Sequence, residues 1–177
     1  MINIYGKGGH ARMIASLTDE TVSFYDDTDY HWAKDLPWII GVGDNQNRKK
    51  IADRLKGSDF INVDLGTYVA SDIILGEGIV IGPGAVIQNG VTLGNHVIIN
   101  TSASVDHDCE IGDFCHIAPN TTLCGAVKIG NGTLIGAGSV VLPGIEIGEN
   151  CIIGAGSVVT KNIPSNSKAY GNPANIK

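Results

Sequence analysis

The chain has 177 residues, 43% of them apolar, and a formal net charge of -6. That length holds one or two small domains with an ample core. The acidic balance excludes a surface built to hold a phosphodiester backbone: the longest basic cluster, Arg48-Lys49-Lys50, reads as one solvated helix face. No apolar run approaches ~18 residues, and Met1 to Gly6 lacks both a charged leader and a long apolar core, so a soluble, cytoplasmic protein is expected.

Ile2 to Tyr5 reads as a short strand, Gly6-Lys7-Gly8-Gly9-His10-Ala11 as a Gly-rich turn, and Ala11 to Leu17 as a helix. Strand, turn and helix in that order make an anion cradle, because free N–H groups and the helix dipole face the ligand. The same glycines would also serve simply to pack a helix on a strand. A second strand, Val22 to Tyr25, ends in Asp26-Asp27, about 20 residues past Gly6, where a dinucleotide fold holds its ribose-binding acid. Trp32 and Trp38 are expected beneath the small sheet, and His31 on the surface. Pro37 to Gly43 reads as a third strand and Arg48 to Lys56 as a helix. Two such βα units would align Gly8, Asp26, Asp27 and Gly43 along the carboxyl edge, where parallel sheets bind ligands. The segment 1–62 is too short for a full doubly wound domain, so a nucleotide half-site is expected and a nicotinamide site is not.

From Val63 to Pro164 the chain repeats in sixes. Every sixth residue from Val63 to Val159 is a branched aliphatic, 17 in unbroken phase. A second series four residues on is small or β-branched. This is the signature of a parallel β-helix. Three hexapeptides per coil give between five and six coils. Glycine often follows the lead residue, as at Gly82, Gly112, Gly130 and Gly154, and is expected to allow tight corners. Cys109, Cys115 and Cys151 fall on the inward small positions and read as core. No CxxC pair is present, and no metal is expected.

Between Leu75 and Ile153 the residue after the lead departs from glycine at Gln88, Asn100, Asp106, Ala118, Cys124 and Leu142. Four of these lie between Asn100 and Cys124, a zone marked for chemistry. There His107 stands outward between Asp106 and Asp108. An imidazole beside a carboxylate is a common general base, because the acid fixes the tautomer and raises basicity. His116 either lines the same groove, from a neighbouring face or another subunit, or packs. His96 reads as surface. The tail from Ser165 to Lys177 loses the repeat and is expected to cap the last coil.

The Gly-Gly-His turn, the Asp-Asp strand end, Gly41-Val42-Gly43, and the run from Asp106 to Pro119 together resemble the bacterial sialic acid O-acetyltransferase group of hexapeptide acyltransferases. The resemblance is strongest to members that N-acetylate nucleotide-linked amino sugars, and it covers essentially the whole chain. It implies a small Rossmann-like α/β domain (1–62), a left-handed β-helix (63–164) and a C-terminal cap (165–177). The left hand comes from the resemblance, since periodicity does not reveal it. The resemblance further implies acetyl-CoA as co-substrate, a nucleotide-linked amino sugar as acceptor, and a homotrimer with sites between subunits.

Residue by residue, it implies that Gly8, Gly9 and His10 hold the diphosphate. Asp26, Asp27 and Gly43 would line the nucleoside, and Asn100 would face the sugar. His107 would be the base with Asp108 beside it, and the Gly125 N–H the oxyanion donor. His116, Ala137 and Ala155 would lie along the CoA channel. The spacing of 18 residues between His107 and Gly125 supports that pairing independently, as one coil. The expected activity is direct acetyl transfer to a sugar amine. O-acetylation, a non-catalytic β-helix scaffold and a zinc-dependent γ-class carbonic anhydrase are the alternatives; the last needs three zinc histidines and lacks the third at a matching spacing.

Overall fold

The computed structural model describes residues 1–29, 35–64 and 66–177; His31 and Trp32 lie outside the described residues. The chain opens with β1 (Ile2–Tyr5), α1 (Gly9–Leu17), β2 (Val22–Tyr25), β3 (Trp38–Ile40) and α2 (Asn45–Arg54). The strands form a parallel sheet in the order β2-β1-β3. Alternation along the strands divides their side chains between two cores. Ile2, Ile4 and Ile39 join Ala11 and Ile14 of α1, while Tyr5, Trp38 and Ile40 pack under Ile51, Ala52 and Leu55. Both helices start earlier than their apolar pattern indicates. Asp44 caps α2, its carboxylate accepting the Asn47 N–H at 2.8 Å. Gly8 caps α1 in an extended conformation without a side-chain bond, so the first-turn N–H groups stay open.

One basic residue is not where its neighbours suggest. Lys49 and Lys50 are exposed, but Arg48 is only 1% exposed and points into the molecule. The cluster is therefore not one solvated face.

From Val63 the strands form three parallel sheets, the arrangement of a left-handed β-helix of hexapeptide repeats. The first face is an eight-stranded sheet, the second six-stranded and the third five-stranded among the described residues. Partners on one face lie 18 residues apart, as in Ile99↔Ile117 and Val105↔Leu123. Lead residues fill the interior together with the smaller inward series. Cys109, Cys115 and Cys151 are fully buried. Inward hydroxyls are satisfied by the next coil: Thr133 Oγ1 donates to the Gly148 carbonyl at 2.7 Å, and Ser139 Oγ to Gly154 at 3.0 Å.

The repeat shifts phase at both ends. Val63 pairs with Val80, so Asp64 rather than Val63 stands opposite the lead Ile81. Val63 then faces outward and packs with Val80 and Ile98 against the N-terminal sheet. These contacts weld the two parts of the chain; each fully buried aliphatic side chain contributes about 2 kcal/mol. At the other end Ile163 bridges to Ile147, and Ala169 pairs with Ile153, each two residues early. The coil thus continues past Pro164 with a shortened repeat. Lys168–Tyr170 is a strand of the first face, and Asn175–Ile176 folds back antiparallel to it.

The glycine after the lead is also not what turns the corner. The left-handed residue comes two positions later, at Gly78, His96, Ser102, Asp108, Phe114 and Ala126 among others. Glycine follows the lead because the coils stack closely: a Cβ at Gly94 would lie 2.7 Å from the Asp113 nitrogen, and one at Gly130 2.6 Å from that of Glu149. All such glycines between the third and first faces (Gly76, Gly94, Gly112, Gly130, Gly148) meet the next coil this way. Between the second and third faces the column is Gln88, Asp106, Cys124 and Leu142, with no glycine at all. The departures read as a central zone of the sequence thus split between two edges: Asp106 and Cys124 belong to this one, Asn100 and Ala118 to the edge between the first and second faces.

Candidate active site

Asp106-His107-Asp108 turns the corner between the second and third faces. Asp108 adopts φ 60°. His107 Nδ1–H donates to Asp108 Oδ2 at 2.8 Å, and the His107 backbone N–H donates to Asp106 Oδ1 at 2.8 Å. The proton therefore sits on Nδ1 and the Nε2 lone pair is free. Hydrogen bonding to Asp108, then the charge of Asp106, raises the pKa of the imidazole above its ordinary value.

One coil on, Gly125 lies directly beneath that ring. A Cβ there would stand 2.6 Å from His107 Nε2, so only glycine fits. Its N–H is open for a reason visible in the neighbouring coils. At the corner between the third and first faces, three such N–H groups in succession are capped from the next coil: Glu77 by Asn95, Asn95 by Asp113, Asp113 by Asn131. The residue one coil beyond Gly125 is Pro143, whose side chain carries no acceptor. Among the described residues the Gly125 N–H has no partner in the chain. A lone pair and an unspent donor thus lie side by side.

A second cluster lies where the N-terminal sheet meets the first face. Asn100 is buried, and its Oδ1 accepts the Thr101 backbone N–H at 2.8 Å. That bond turns Nδ2 toward His116 Nε2 at 3.0 Å and toward His10 Nε2 at 3.5 Å. His116 Nε2 must then be the acceptor, and its Nδ1–H donates to the Gly43 carbonyl at 3.1 Å. Burial, then the nearby Arg48 and His10, pushes the His116 pKa down to about 4, keeping it neutral. His10 meets His116 edge-on, with ring centroids 5.4 Å apart, and its pKa is lowered by burial and then Arg48. Its ring covers Gly43, where a Cβ would be 2.5 Å from Cε1. A cleft of about 280 Å³ opens beside this cluster, lined by Gly43, Asn45, Gln46, His116, Leu134 and Ile152.

Gly8 and Gly9 are exposed at the open start of α1, where an added Cβ would meet nothing. Asp26 and Asp27 follow β2 at the same sheet edge. Lys7 Nζ pairs with Asp26 at 2.8 Å, and that bond with those from Thr28 holds the Asp26 carboxyl well below the usual range. Asp27 accepts from Tyr5 Oη at 2.5 Å and pairs with Arg54. Ala137 and Ala155 are exposed, one above the other, on the corner between the first and second faces.

The residues thus gather in two places. Gly8, Gly9, His10, Gly43, Asn100 and His116 meet along the first face and its edge, with Ala137 and Ala155 further up that edge. His107, Asp108 and Gly125 lie on the next edge, one side of the coil away, up to about 20 Å of extended chain. His96 belongs to neither, and it is not a surface residue. It is 4% exposed, stacked on Phe114 at 5.1 Å and edge-on to Phe60 at 4.6 Å. Burial, then Arg48, lowers its pKa to about 4. Its flank, Asn95-His96-Val97, gives no sign in sequence that it is covered. Among the described residues no group of three or more His, Cys, Asp or Glu is arranged to hold a metal, and no helix is long and apolar enough to cross a membrane.

The family described as "Bacterial transferase hexapeptide (six repeats)" matches residues 90–125 and 126–161, and "Hexapeptide repeat of succinyl-transferase" matches 72–99. No curated protein sequence matches the chain. Among solved structures, PerB from Caulobacter crescentus in complex with CoA and GDP-perosamine superposes with a TM-score of 0.94 at 32% identity, over 99% of this chain and 96% of that one. The acetyltransferase domain of PglB from Neisseria gonorrhoeae, bound to acetyl coenzyme A, gives 0.91 at 29% identity, over 99% and 98%. WeeI from Acinetobacter baumannii gives 0.92 at 26% identity, over 100% and 99%.

Proposed function

Because the chain belongs to the hexapeptide-repeat acyltransferases, in the group that includes sugar N-acetyltransferases, we propose that it moves the acetyl group of acetyl-CoA to the amino group of a nucleotide-linked amino deoxy sugar. One observation carries the chemistry: His107, held as the Nδ1–H tautomer by its bond to Asp108, has its Nε2 lone pair free and set against Gly125, whose N–H is open. The full-length likeness to PerB, whose structure holds CoA and GDP-perosamine, supports the substrate class.

The amine nitrogen attacks the thioester carbonyl, forming the C–N bond. His107 Nε2 takes the proton that the nitrogen loses, and Asp108 stabilises the imidazolium. The Gly125 N–H donates to the oxyanion; one such donor is worth about 3 kcal/mol in other enzymes. The C–S bond then breaks, and His107 returns its proton to the CoA thiolate. No acyl-enzyme is needed.

The separation of the two clusters favours a homotrimer. The second face lies between them and, beyond Tyr68 in its first strand, carries small uncharged residues outward (Val86, Ser104, Thr122, Val140 and Val158), whereas the third face carries Glu110, Lys128 and Glu146. Packing second faces together brings the His107 edge of one copy to the Asn100 edge of the next. Ala137, Ala155 and His116 then line the acetyl-CoA channel between copies. The Rossmann-like unit, 1–62, holds the nucleotide: its diphosphate on Gly8, Gly9 and His10, its nucleoside against Asp26, Asp27 and Gly43, its sugar toward Asn100. The β-helix, 63–164, carries the transfer, and 165–177 closes it. A cytoplasmic setting fits these substrates.

The test is thiol release from acetyl-CoA against nucleotide-linked 4-amino and 3-amino sugars, with the matching hydroxy sugars alongside. Turnover on amino sugars alone is expected. Turnover on hydroxy sugars alone would make the protein an O-acetyltransferase. No release on any of them, with no acetyl-CoA binding, would sink the enzymatic reading.

A further inference from the structure

Among the described residues, no carboxylate is bonded to the buried cation Arg48. Its bonds instead go to neutral oxygens on four segments. Nε donates to the His96 carbonyl at 2.8 Å. Nη1 donates to the carbonyls of Val42 at 3.0 Å and Gly43 at 3.1 Å. Nη2 donates to Asn45 Oδ1 at 2.9 Å and to the carbonyls of Phe114 at 2.8 Å and Cys115 at 3.1 Å. All five donors of the guanidinium are used. Burying an unpaired charge is costly, and burial lowers the Arg48 pKa to about 10. Apolar packing in its place would leave these carbonyls without that donor, so the guanidinium ties together segments that packing alone would not.

The effect is visible at Gly43 and His116. The Gly43 carbonyl accepts both Arg48 Nη1–H and His116 Nδ1–H. The Phe114 and Cys115 carbonyls immediately precede His116 in its coil. Arg48 therefore fixes the imidazole's acceptor and the imidazole's own backbone together. Building on the sugar-acetyltransferase reading, we infer that Arg48 is a positioning residue: it locks His116 as the Nδ1–H tautomer, so that its Nε2 lone pair orients the Asn100 amide toward the acceptor sugar. The groups facing His116 are His10 from α1, Arg48 and Asn45 from α2, Gly43 after β3, and Asn100 from the preceding coil. Only Arg48 among them carries a permanent charge, and a neighbouring cation also opposes protonation of the imidazole.

The test needs no substrate. Protein labelled with ¹⁵N-histidine is examined by long-range ¹H–¹⁵N correlation, with the His116 signals assigned by their loss in His116→Gln. In the wild type His116 is expected as the Nδ1–H tautomer, without titrating, from pH 5.5 to 8.5. In Arg48→Met the tautomer should mix and the ring should begin to titrate within that range. Arg48→Lys keeps the charge with fewer donors and should restore neutrality but not the single tautomer. Kinetically, Arg48→Met should raise KM for the sugar nucleotide about tenfold, the loss of roughly one hydrogen bond. An Nε2–H tautomer in the wild type, or a folded Arg48→Met protein whose His116 signals match the wild type, would overturn the inference. The wild-type spectrum decides even if Arg48→Met fails to fold, and it stands whether or not any amino sugar is acetylated.

Discussion

Two corners of one coil are built from the same six-residue repeat and end in opposite states. Between the third and first faces the corner is closed. Glycine follows every lead, the coils approach to contact, and side chains from Asn95, Asp113 and Asn131 cap each corner N–H of the preceding coil. Between the second and third faces no glycine follows the lead. His107 stands out into solvent there, and Pro143 stands where a cap for Gly125 would be. The closed corner spends its polar groups on stability; the open one leaves a lone pair and a donor unspent. On the proposed mechanism, reactivity in this scaffold comes from omitting the ladder.

His107→Ala breaks the comparison outright. It should lower kcat/KM by about 10²- to 10⁴-fold, the usual range for a general base, with the thermal midpoint nearly unchanged because the side chain is exposed. Steady-state kinetics beside a melting curve check this, and near-normal turnover would remove His107 from the chemistry. Asp108→Asn sharpens the point. In the proposed mechanism the unprotonated imidazole is the active form, and Asp108 raises its pKa. Without that carboxylate the acidic limb of the kcat/KM profile should move to lower pH, while the rate on the plateau falls.

The next largest effect comes from converting the open corner into a closed one. Pro143→Asn supplies the acceptor that Asn131 supplies elsewhere. It should cap the Gly125 N–H and cost up to about 10²-fold in kcat without touching His107. An unchanged kcat would mean that this donor is not used in the transition state.

A smaller effect separates the exposed from the buried histidines. His96 and His116 have folded pKa values of about 4, against about 6.5 in an unfolded chain. Below pH ~6.5 the unfolded state binds more protons, so stability should fall as pH drops from about 6.5 toward 4, by up to about 1.4 kcal/mol per pH unit for each histidine. Denaturant melts across that window measure the slope. His107 acts in the opposite sense: its raised pKa adds stability at low pH that is lost as pH rises through the folded value. A flat profile from pH 7 to 4.5 would contradict the buried, neutral state of His96 and His116. The smallest effect is expected at the ladder, where Asn131→Ala removes one cap and should cost about 1 kcal/mol with activity retained.

Much of this was legible in the sequence. A six-residue period admits few folds, because inward side chains must recur at each strand and the interior has no room for a polar slip. His107 between two acids, and Gly125 one coil later, follow from that period alone. The Gly-rich turn and the Asp-Asp strand end are local features, so β1, α1 and β2 could be placed. The phase at Val63 and at Ile163 could not, since the apolar pattern there continues while the coil shortens or turns outward to meet another core.

What the sequence by itself determined is therefore the interior of the prism and which residues stand at its corners, because both depend on contacts at a fixed separation along the chain. Only the tertiary structure decided which corner each departure from glycine belongs to, since three edges are interleaved in one string. It alone showed that Arg48, 48 residues from His96 and 66 from Phe114, is buried against their carbonyls. It alone turned His96 from a surface residue into a buried one. Such contacts join segments with no shared period, and burial there is set by what α2 covers rather than by anything in the residues being covered.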